Sequence, residues 1–352
     1  CFTINAQQIA TDTLETQNLE EVIVSSVRAK ENLPIAFNNI SKDELSKRNL
    51  GQDIPILLNF LPNVVTTSDA GAGIGYTGIR IRGINSQSTN VTINGIPYND
   101  AESLGTFWVD LPDFSSSVEN LQVQRGIGTS VNGSSAFGAS INILTDKISE
   151  KSFFESSNTV GSFNTVKNNF KFSTGLLNND FEFSGRLSKI DSDGYIDRAS
   201  SNLKSYFLQF SYKKNKTLLK FLNFGGHEIT YQAWNGIDLL TLENNRTYNP
   251  SGLYFDLDGN EKFHENEVDN YKQDHFQFHW TQSISNNLTS SLALNLTNGR
   301  GFYEQYNENG NEDYITRKWL DNQFFVFNYN LNYTTANNNL TFGSTYSEYD
   351  GD

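Results

Sequence analysis

Two arginines stand two residues apart in Gly78-Ile79-Arg80-Ile81-Arg82-Gly83-Ile84. Their alternation with isoleucine predicts a strand carrying both guanidinium groups on one face, where each could fork onto a carboxylate. The only imidazoles are His227, His264, His275 and His279. On a strand, His275 and His279 would share a face about 13 Å apart, too far to hold one metal ion. Asp256 and Asp258 lie in Phe255-Asp256-Leu257-Asp258-Gly259-Asn260, which lacks the glutamate that completes a calcium loop, so a solvated turn is expected. Gly71-Ala72-Gly73-Ile74-Gly75 has neither the lysine nor the following helix of a phosphate loop, and no serine sits in a nucleophile elbow. These patterns predict no enzyme, catalytic group, metal site or cofactor. Recognition and mechanical coupling are what remain.

The elements that would position the arginines are short. Residues 91–93 form a strand that runs into Asn94-Gly95, a strong tight-turn dipeptide. Residues 118–124 form another, ending in Arg125-Gly126, and residues 140–144 a fourth. Ser41 three residues before Glu44 predicts a capping box. Residues 53–60 predict a short apolar helix that tolerates Pro55 near its start and stops at Leu61-Pro62. Residues 68–76 contain three glycines and predict a loop. Further upstream, residues 19–26 are β-prone behind an acidic pair and suit addition to a partner's sheet edge. Residues 7–20 are polar and without periodicity, which predicts disorder. Residues 1–6 fit the tail of an export signal cleaved after Ala6, with a lipidated Cys1 as the alternative.

Composition bounds the class. The formal charge of −14 disfavours nucleic acid as a partner. A single cysteine excludes an internal disulfide framework. With 26 Phe and 16 Tyr in a chain of negative mean hydropathy, the aromatics suit a wall that has one apolar and one wet face. No run of 18 apolar residues exists, so a membrane span must be made of strands. Beyond residue 150, segments of about ten residues alternate apolar and polar, as in Phe181, Phe183 and Leu187 against Glu182, Ser184 and Arg186. About nine strands are expected, with 217–225 alternating poorly. Connections near 177–180, 213–216, 285–287 and 335–339 are short; those near 191–202, 230–271 and 301–320 are long. Short turns at one end and long loops at the other predict an outer-membrane barrel. The absence of any methionine reads as a piece of a longer frame. Residues 230–274 hold nine acids against three Lys/Arg, and 301–321 five against two. An acidic mouth of that kind favours neutral or cationic ligands and metal complexes.

The order of four motifs resembles the plug domain of TonB-dependent outer-membrane receptors. They are Ile79-Arg80-Ile81-Arg82-Gly83, then Ile93-Asn94-Gly95-Ile96-Pro97, then 118–126 ending in Arg125-Gly126, then 136–143. Two positions depart from the family pattern: Ile127 stands for its usual proline, and Gly138-Ala139 for its usual Gly-Gly. The resemblance implies an α+β plug domain followed by an antiparallel transmembrane β-barrel, here about nine strands of roughly 22. It divides the chain into a signal remnant and disordered N-terminus (1–18), a Ton box (19–26), the plug (27–148) and the N-terminal portion of the barrel (150–352). Glu21, Val22, Ile23 and Val24 would bind TonB from the periplasm. Arg80, Arg82, Gly83, Arg125 and Gly126 would belong to the lock between plug and barrel, the two paired arginines buried against acidic barrel residues. Plug apices at 69–76, 85–90 and 98–108 would meet a small-molecule or metal-chelate ligand. The candidates there are Tyr76, Asn85, Gln87, Tyr98, Asn99, Asp100, Glu102 and Trp108. Trp108 and Phe107 could equally pack on the barrel wall. By the same resemblance the chain is a monomeric barrel in the outer-membrane lipid of a Gram-negative bacterium. It would import a scarce nutrient, a ferric siderophore or other iron complex first. A cobalamin importer and a non-transporting, barrel-anchored surface binding protein are the alternatives. The sequence Asn90-Val91-Thr92-Ile93 before the Asn94-Gly95 turn departs from the glycan-importing branch.

Overall fold

The computed structural model describes residues 28–29, 34–126, 137–307 and 313–352. The expected signal remnant and Ton box, and the part of the plug motifs from Ile127 to Ala136, lie outside the described residues.

The N-terminal part is a small mixed domain. Strand β1 (Ala36–Ser41) passes into helix α1 (Lys42–Arg48) through the expected capping box. The Ser41 hydroxyl accepts from the Glu44 amide at 3.4 Å, and the Ser41 amide donates to the Glu44 carboxylate at 2.9 Å. Helix α2 (Ile54–Leu57) is one turn long, with Pro55 in its first turn where no intrahelical N–H is needed. Strands β2 (Val64–Ser68) and β3 (Thr77–Ile81) form a hairpin around the glycine-rich loop. Strands β4 (Thr89–Ile93) and β5 (Ile96–Pro97) are joined by Asn94 and Gly95 at φ 53° and 79°, the two positive values a type I′ turn demands. Strands β6 (Val118–Arg125) and β7 (Ala139–Thr145) complete a sheet of order β1-β6-β7-β4-β5. Only the β4–β7 pair is parallel. Every residue of β7 is buried, as expected of a strand covered on both faces.

Nine antiparallel strands then follow one another in chain order. They are β8 (Ser152–Val160), β9 (Val166–Thr174), β10 (Phe181–Ser192), β11 (Ser201–Lys214) and β12 (Thr217–Tyr231). The connection 232–267 carries helix α3 (Leu239–Asn244) and the hairpin β13 (Leu253–Phe255) with β14 (Glu261–Phe263). The wall resumes with β15 (Val268–Ser283), β16 (Leu288–Asn307), β17 (Tyr314–Thr334) and β18 (Asn339–Gly351). Among the described residues no helix is long and apolar enough to cross a membrane.

Period-2 alternation turns one wall face outward and the other toward the plug. Phe183, Phe210, Phe221, Phe278, Leu294 and Phe327 oppose one another in register across six strands on the outward face. Inward positions such as Lys167, Asn169, Arg186, Gln209, Gln277 and His279 are polar and buried. The poor alternation of β12 has a cause that sequence alone could not show. Its inward residues Leu222 and Phe224 are apolar because they join the plug core beside Phe114 and Phe207. The expected long loop at 301–320 is also corrected. Residues 301–307 and 314–320 continue β16 and β17 as paired strand, held by register pairs such as Phe302 with Trp319.

Candidate functional site

The arginine pair does not sit as its alternation predicts. Strand β3 ends at Ile81, and Arg82 and Gly83 take φ 56° and 78° as the centre of a tight turn closed by the Ile84 amide on the Ile81 carbonyl at 3.1 Å. The backbone twist of that turn breaks the period, so the two side chains no longer share a strand face. Arg80 and Arg82 are both exposed, and no ion pair to either occurs among the described residues. Gly126 leaves room for the Arg82 guanidinium, which a Cβ there would meet at 3.0 Å. Arg125 stitches the plug to itself rather than to the wall, bonding the Pro62 carbonyl at 3.2 Å and the Asn38 side chain.

The buried ties between plug and wall lie elsewhere. Asp113, in left-handed backbone at φ 52°, directs its carboxylate into the wall. Its Oδ1 accepts from Lys167 Nζ at 2.6 Å, Ser116 Oγ at 2.7 Å and Asn49 Nδ2 at 2.9 Å. Its Oδ2 accepts from Asn169 at 2.5 Å and Ser188 at 2.7 Å, with Arg186 Nη1 3.7 Å away. Burial alone would raise the Asp113 carboxyl, but Arg186 and then Lys167 outweigh it and hold it at about 2. A second tie joins Asp146 to Lys171 at 2.5 Å and to Lys42 at 2.6 Å. Between the two ties, Phe114 packs 5.3 Å from Phe224 and 6.3 Å from Phe207, ring centre to ring centre. Sequence reasoning missed this set. Its one visible trace is a series of cations at inward positions of the first wall strands: Lys167, Lys171, Arg186 and Lys220.

A cavity of about 370 Å³ opens where the plug apices meet the wall. From the plug come Tyr76, Tyr98, Asn99, Asp100, Glu102 and Asp110; from the wall side come Glu228, Trp234, Asp269, Tyr271, His275 and Tyr303. The Tyr76 hydroxyl donates across the gap to Glu228 at 3.3 Å and also contacts Asp269. Tyr76 meets Trp234 edge-on at 5.4 Å, and Tyr98 lies 5.5 Å from the His275 ring. Asp110 is 6% exposed as a residue and lines the cavity, its carboxyl making no hydrogen bond or ion pair among the described residues. Burial, and then the nearby Asp269 and Asp100, push its carboxyl well above the usual carboxylate range. Aromatic faces, carboxyls and amide groups at one opening can grip a ligand by stacking and hydrogen bonds.

Five of the sequence candidates, Tyr76, Tyr98, Asn99, Asp100 and Glu102, come together at this cavity. Asn99 also pins its loop, accepting from the Val91 amide at 2.7 Å and donating to the Thr89 and Leu104 carbonyls at 2.9 Å. Asn85 and Gln87 are exposed at a separate turn and do not line it. Trp108 is 3% exposed and belongs to the plug core, so of its two readings packing is the one observed; its neighbour Phe107 does reach the cavity. Asp256 and Asn260 close the expected turn, with Asp256 Oδ1 accepting from the Asn260 amide at 2.8 Å.

A mixed-sheet plug tied by buried charges to a wall of antiparallel strands, apolar outside and polar inside, defines a plugged transmembrane β-barrel. Comparison with known proteins narrows the class. Residues 29–140 match the family described as TonB-dependent Receptor Plug Domain. The vitamin B12 transporter BtuB of Vibrio vulnificus is 28% identical over 194 residues, 54% of this chain and 30% of the relative. A probable TonB-dependent siderophore receptor, PirA of Acinetobacter baumannii, is 27% identical over 162 residues, 42% of this chain and 21% of the relative. The solved structure of the siderophore receptor PirA from Acinetobacter baumannii superposes with a TM-score of 0.66 at 16% identity, covering 94% of this chain and 49% of that one. Each match spans less than half of the relative's length. Residues 29–140 thus match the plug domain of the TonB-dependent receptors, and the wall that follows shares the fold of the solved siderophore receptor. That family consists of receptors and transporters rather than enzymes.

Proposed function

We propose that this chain is the plug and first part of the wall of a TonB-dependent importer of the Gram-negative outer membrane. Its cargo is a scarce nutrient, an iron chelate first, bound at the cavity between plug apices and wall. The observation that carries the reading is the convergence of Tyr76, Tyr98 and Asp110 from the plug with Glu228, Asp269 and Tyr271 from the wall on one opening. A ligand held there touches both parts and can report its presence to the plug. Energy would enter through Glu21, Val22, Ile23 and Val24, gripped by TonB as an added strand. Likeness to a siderophore receptor supports the iron-chelate cargo, and the acidic lining favours neutral or cationic chelates over polyanions. Vitamin B12 is the second reading, supported by the likeness to the Vibrio vulnificus transporter. The test is growth of a receptor-null host on single ferric chelates or cobalamin, carrying either the full-length wild type or a Val22→Pro/Ile23→Pro variant. Import predicts growth with the wild type only, with ligand binding to the purified variant intact. Equal growth with both would show that uptake, if any, does not run through the Ton box.

A further inference from the structure

The cavity between plug and wall has a charge that the import reading leaves unexplained. Five carboxyls line it, those of Asp100, Glu102, Asp110, Glu228 and Asp269, and no lysine or arginine does. None of the five takes part in an ion pair among the described residues. The three inner acids are also short of hydrogen-bond donors. Glu228 and Asp269 stand diagonally on β12 and β15, since Glu228 pairs in register with Tyr271 and Thr230 with Asp269. The Tyr76 hydroxyl lies against both and has one proton to give. The Thr230 hydroxyl donates to Glu228 at 3.1 Å, while Asp269 Oδ1 is buried without a hydrogen bond. Asp110 is equally buried and its carboxyl has no partner at all among the described residues. Backbone contact holds it there. Gly226, two residues before Glu228 on the same inward face, admits the Asp110 carbonyl, with which a Cβ would collide.

We propose that the ligand of this cavity carries a protonated amine, and that Asp110, Glu228 and Asp269 hold the ammonium group beside the aromatic rings of the opening. This rests on the reading of the cavity as the ligand site and narrows the cargo to organic cations, such as chelates that bear a free amine. An ammonium supplies what the acids lack, a positive charge and three N–H donors. It also relieves the crowding of acids that pushes the Asp110 carboxyl up. Tyr76, Trp234 and Tyr303 form an aromatic wall of the same cavity. Trp234 meets Tyr76 edge-on at 5.4 Å and Tyr303 edge-on at 6.3 Å. Such rings attract an ammonium to their faces. Tyr303 already does so, with Lys318 Nζ 5.4 Å from its ring centre although Lys318 does not line the cavity. A bare metal ion does not fit, because among the described residues no three His, Cys, Asp or Glu side chains are placed to hold one. An anionic ligand would meet five acids and no cation.

The test uses the full-length receptor in detergent and butylammonium as the probe, with butanol and butyrate as its neutral and anionic counterparts. Binding is read by saturation-transfer NMR against receptor-free micelles. The wild type should bind butylammonium at least about tenfold more tightly than butanol or butyrate, the worth of one hydrogen bond to a charged group. Asp110→Asn keeps the side chain's size, removes the charge and should lose about tenfold. Should that variant not fold, Trp234→Ala should lose about fivefold through the missing ring face. Asp180→Asn, in the short turn before β10 at the opposite end of the wall, should bind as the wild type does. Equal binding of butylammonium and butanol, undiminished binding by Asp110→Asn and Trp234→Ala, or an equal loss in Asp180→Asn would overturn the proposal. Displacement of the probe by an equal concentration of magnesium would also overturn it, showing a site for any cation. Growth on ferric chelates is scored apart. Uptake without butylammonium binding sinks this inference alone, and Asp110-dependent binding without uptake upholds it while sinking the import reading.

Discussion

Replacing Asp113 by Asn tests the tie between plug and wall with the least disturbance. Asn keeps the side chain's size and tolerates the left-handed backbone at φ 52°. What it removes is the charge facing Lys167 and Arg186, whose side chains are each 1% exposed. Two cations then remain in a dry interface without their counter-ion, and the amide cannot accept all five hydrogen bonds that the carboxylate accepts. Breaking a buried pair from one side costs about 3–5 kcal/mol, and two cations on one anion place this case near the middle or above, at about 4 kcal/mol. Every 1.4 kcal/mol is tenfold, so opening of the plug from the wall should become about a thousandfold more frequent. The assay is amide hydrogen exchange of the full-length receptor in detergent, read on the buried strand Ala139–Thr145, which exchanges only when the plug opens. Lys167→Met in the same background should recover part of the loss, because one orphaned cation is gone. A change of less than tenfold in Asp113→Asn would refute the reasoning and move the tie elsewhere, to Asp146 or to the phenylalanine contact.

Three further outcomes follow from the same geometry. Phe224→Ala deletes a fully buried ring at the Phe114–Phe207 contact and should cost about 3–5 kcal/mol, read as a lower melting temperature of the receptor. Trp108→Ala should cost plug stability by a similar amount while leaving ligand affinity within a factor of about two, as its ring is in the core rather than at the cavity. Asp53 is buried with Thr77 Oγ1 at 2.9 Å, and burial pushes its carboxyl up to about 8. The folded state therefore binds a proton that the unfolded state has lost above about 4, so stability contributed by this group falls as pH rises from about 4 through 8. Asp53→Asn should flatten that part of the stability–pH profile and be the more stable form at pH 9, and an unchanged slope in denaturant titrations would contradict the assignment.

Local rules carried most of the fold. The capping box at Ser41, the Asn94-Gly95 turn, the plug strands and the nine wall strands each follow from patterns of a few residues. Arg82 was misplaced because the same Arg-Gly pair that ends an alternating run also fits a type I′ turn, and the hydrogen bond closing that turn wins. The Asp113 tie was not legible, since Lys167 and Arg186 stand 54 and 73 positions further along the chain, and only the wall's curvature brings them together. For β12, alternation failed as a guide because its wet face is dry: Leu222 and Phe224 meet the plug rather than water. At the cavity, aromatic and polar residues of the 98–108 apex pointed to the place. Asp110 lay just outside that stretch, and the wall acids that share the cavity with it, Glu228 and Asp269, are set by strand register.

The central claim is that ligand binds between plug and wall, and one titration addresses it most directly. The full-length receptor is titrated with the ferric chelate or cobalamin that restores growth of the null host. The wild type is compared with a cavity variant, Tyr98→Ala/Asp110→Ala, and with Asn85→Ala/Gln87→Ala at the separate exposed turn. The account predicts that the cavity variant loses at least about tenfold in affinity, the worth of two contacts at roughly 1 kcal/mol each, and that the other variant binds as the wild type does. Loss in Asn85→Ala/Gln87→Ala with full affinity in Tyr98→Ala/Asp110→Ala would place the ligand away from this cavity and contradict the account.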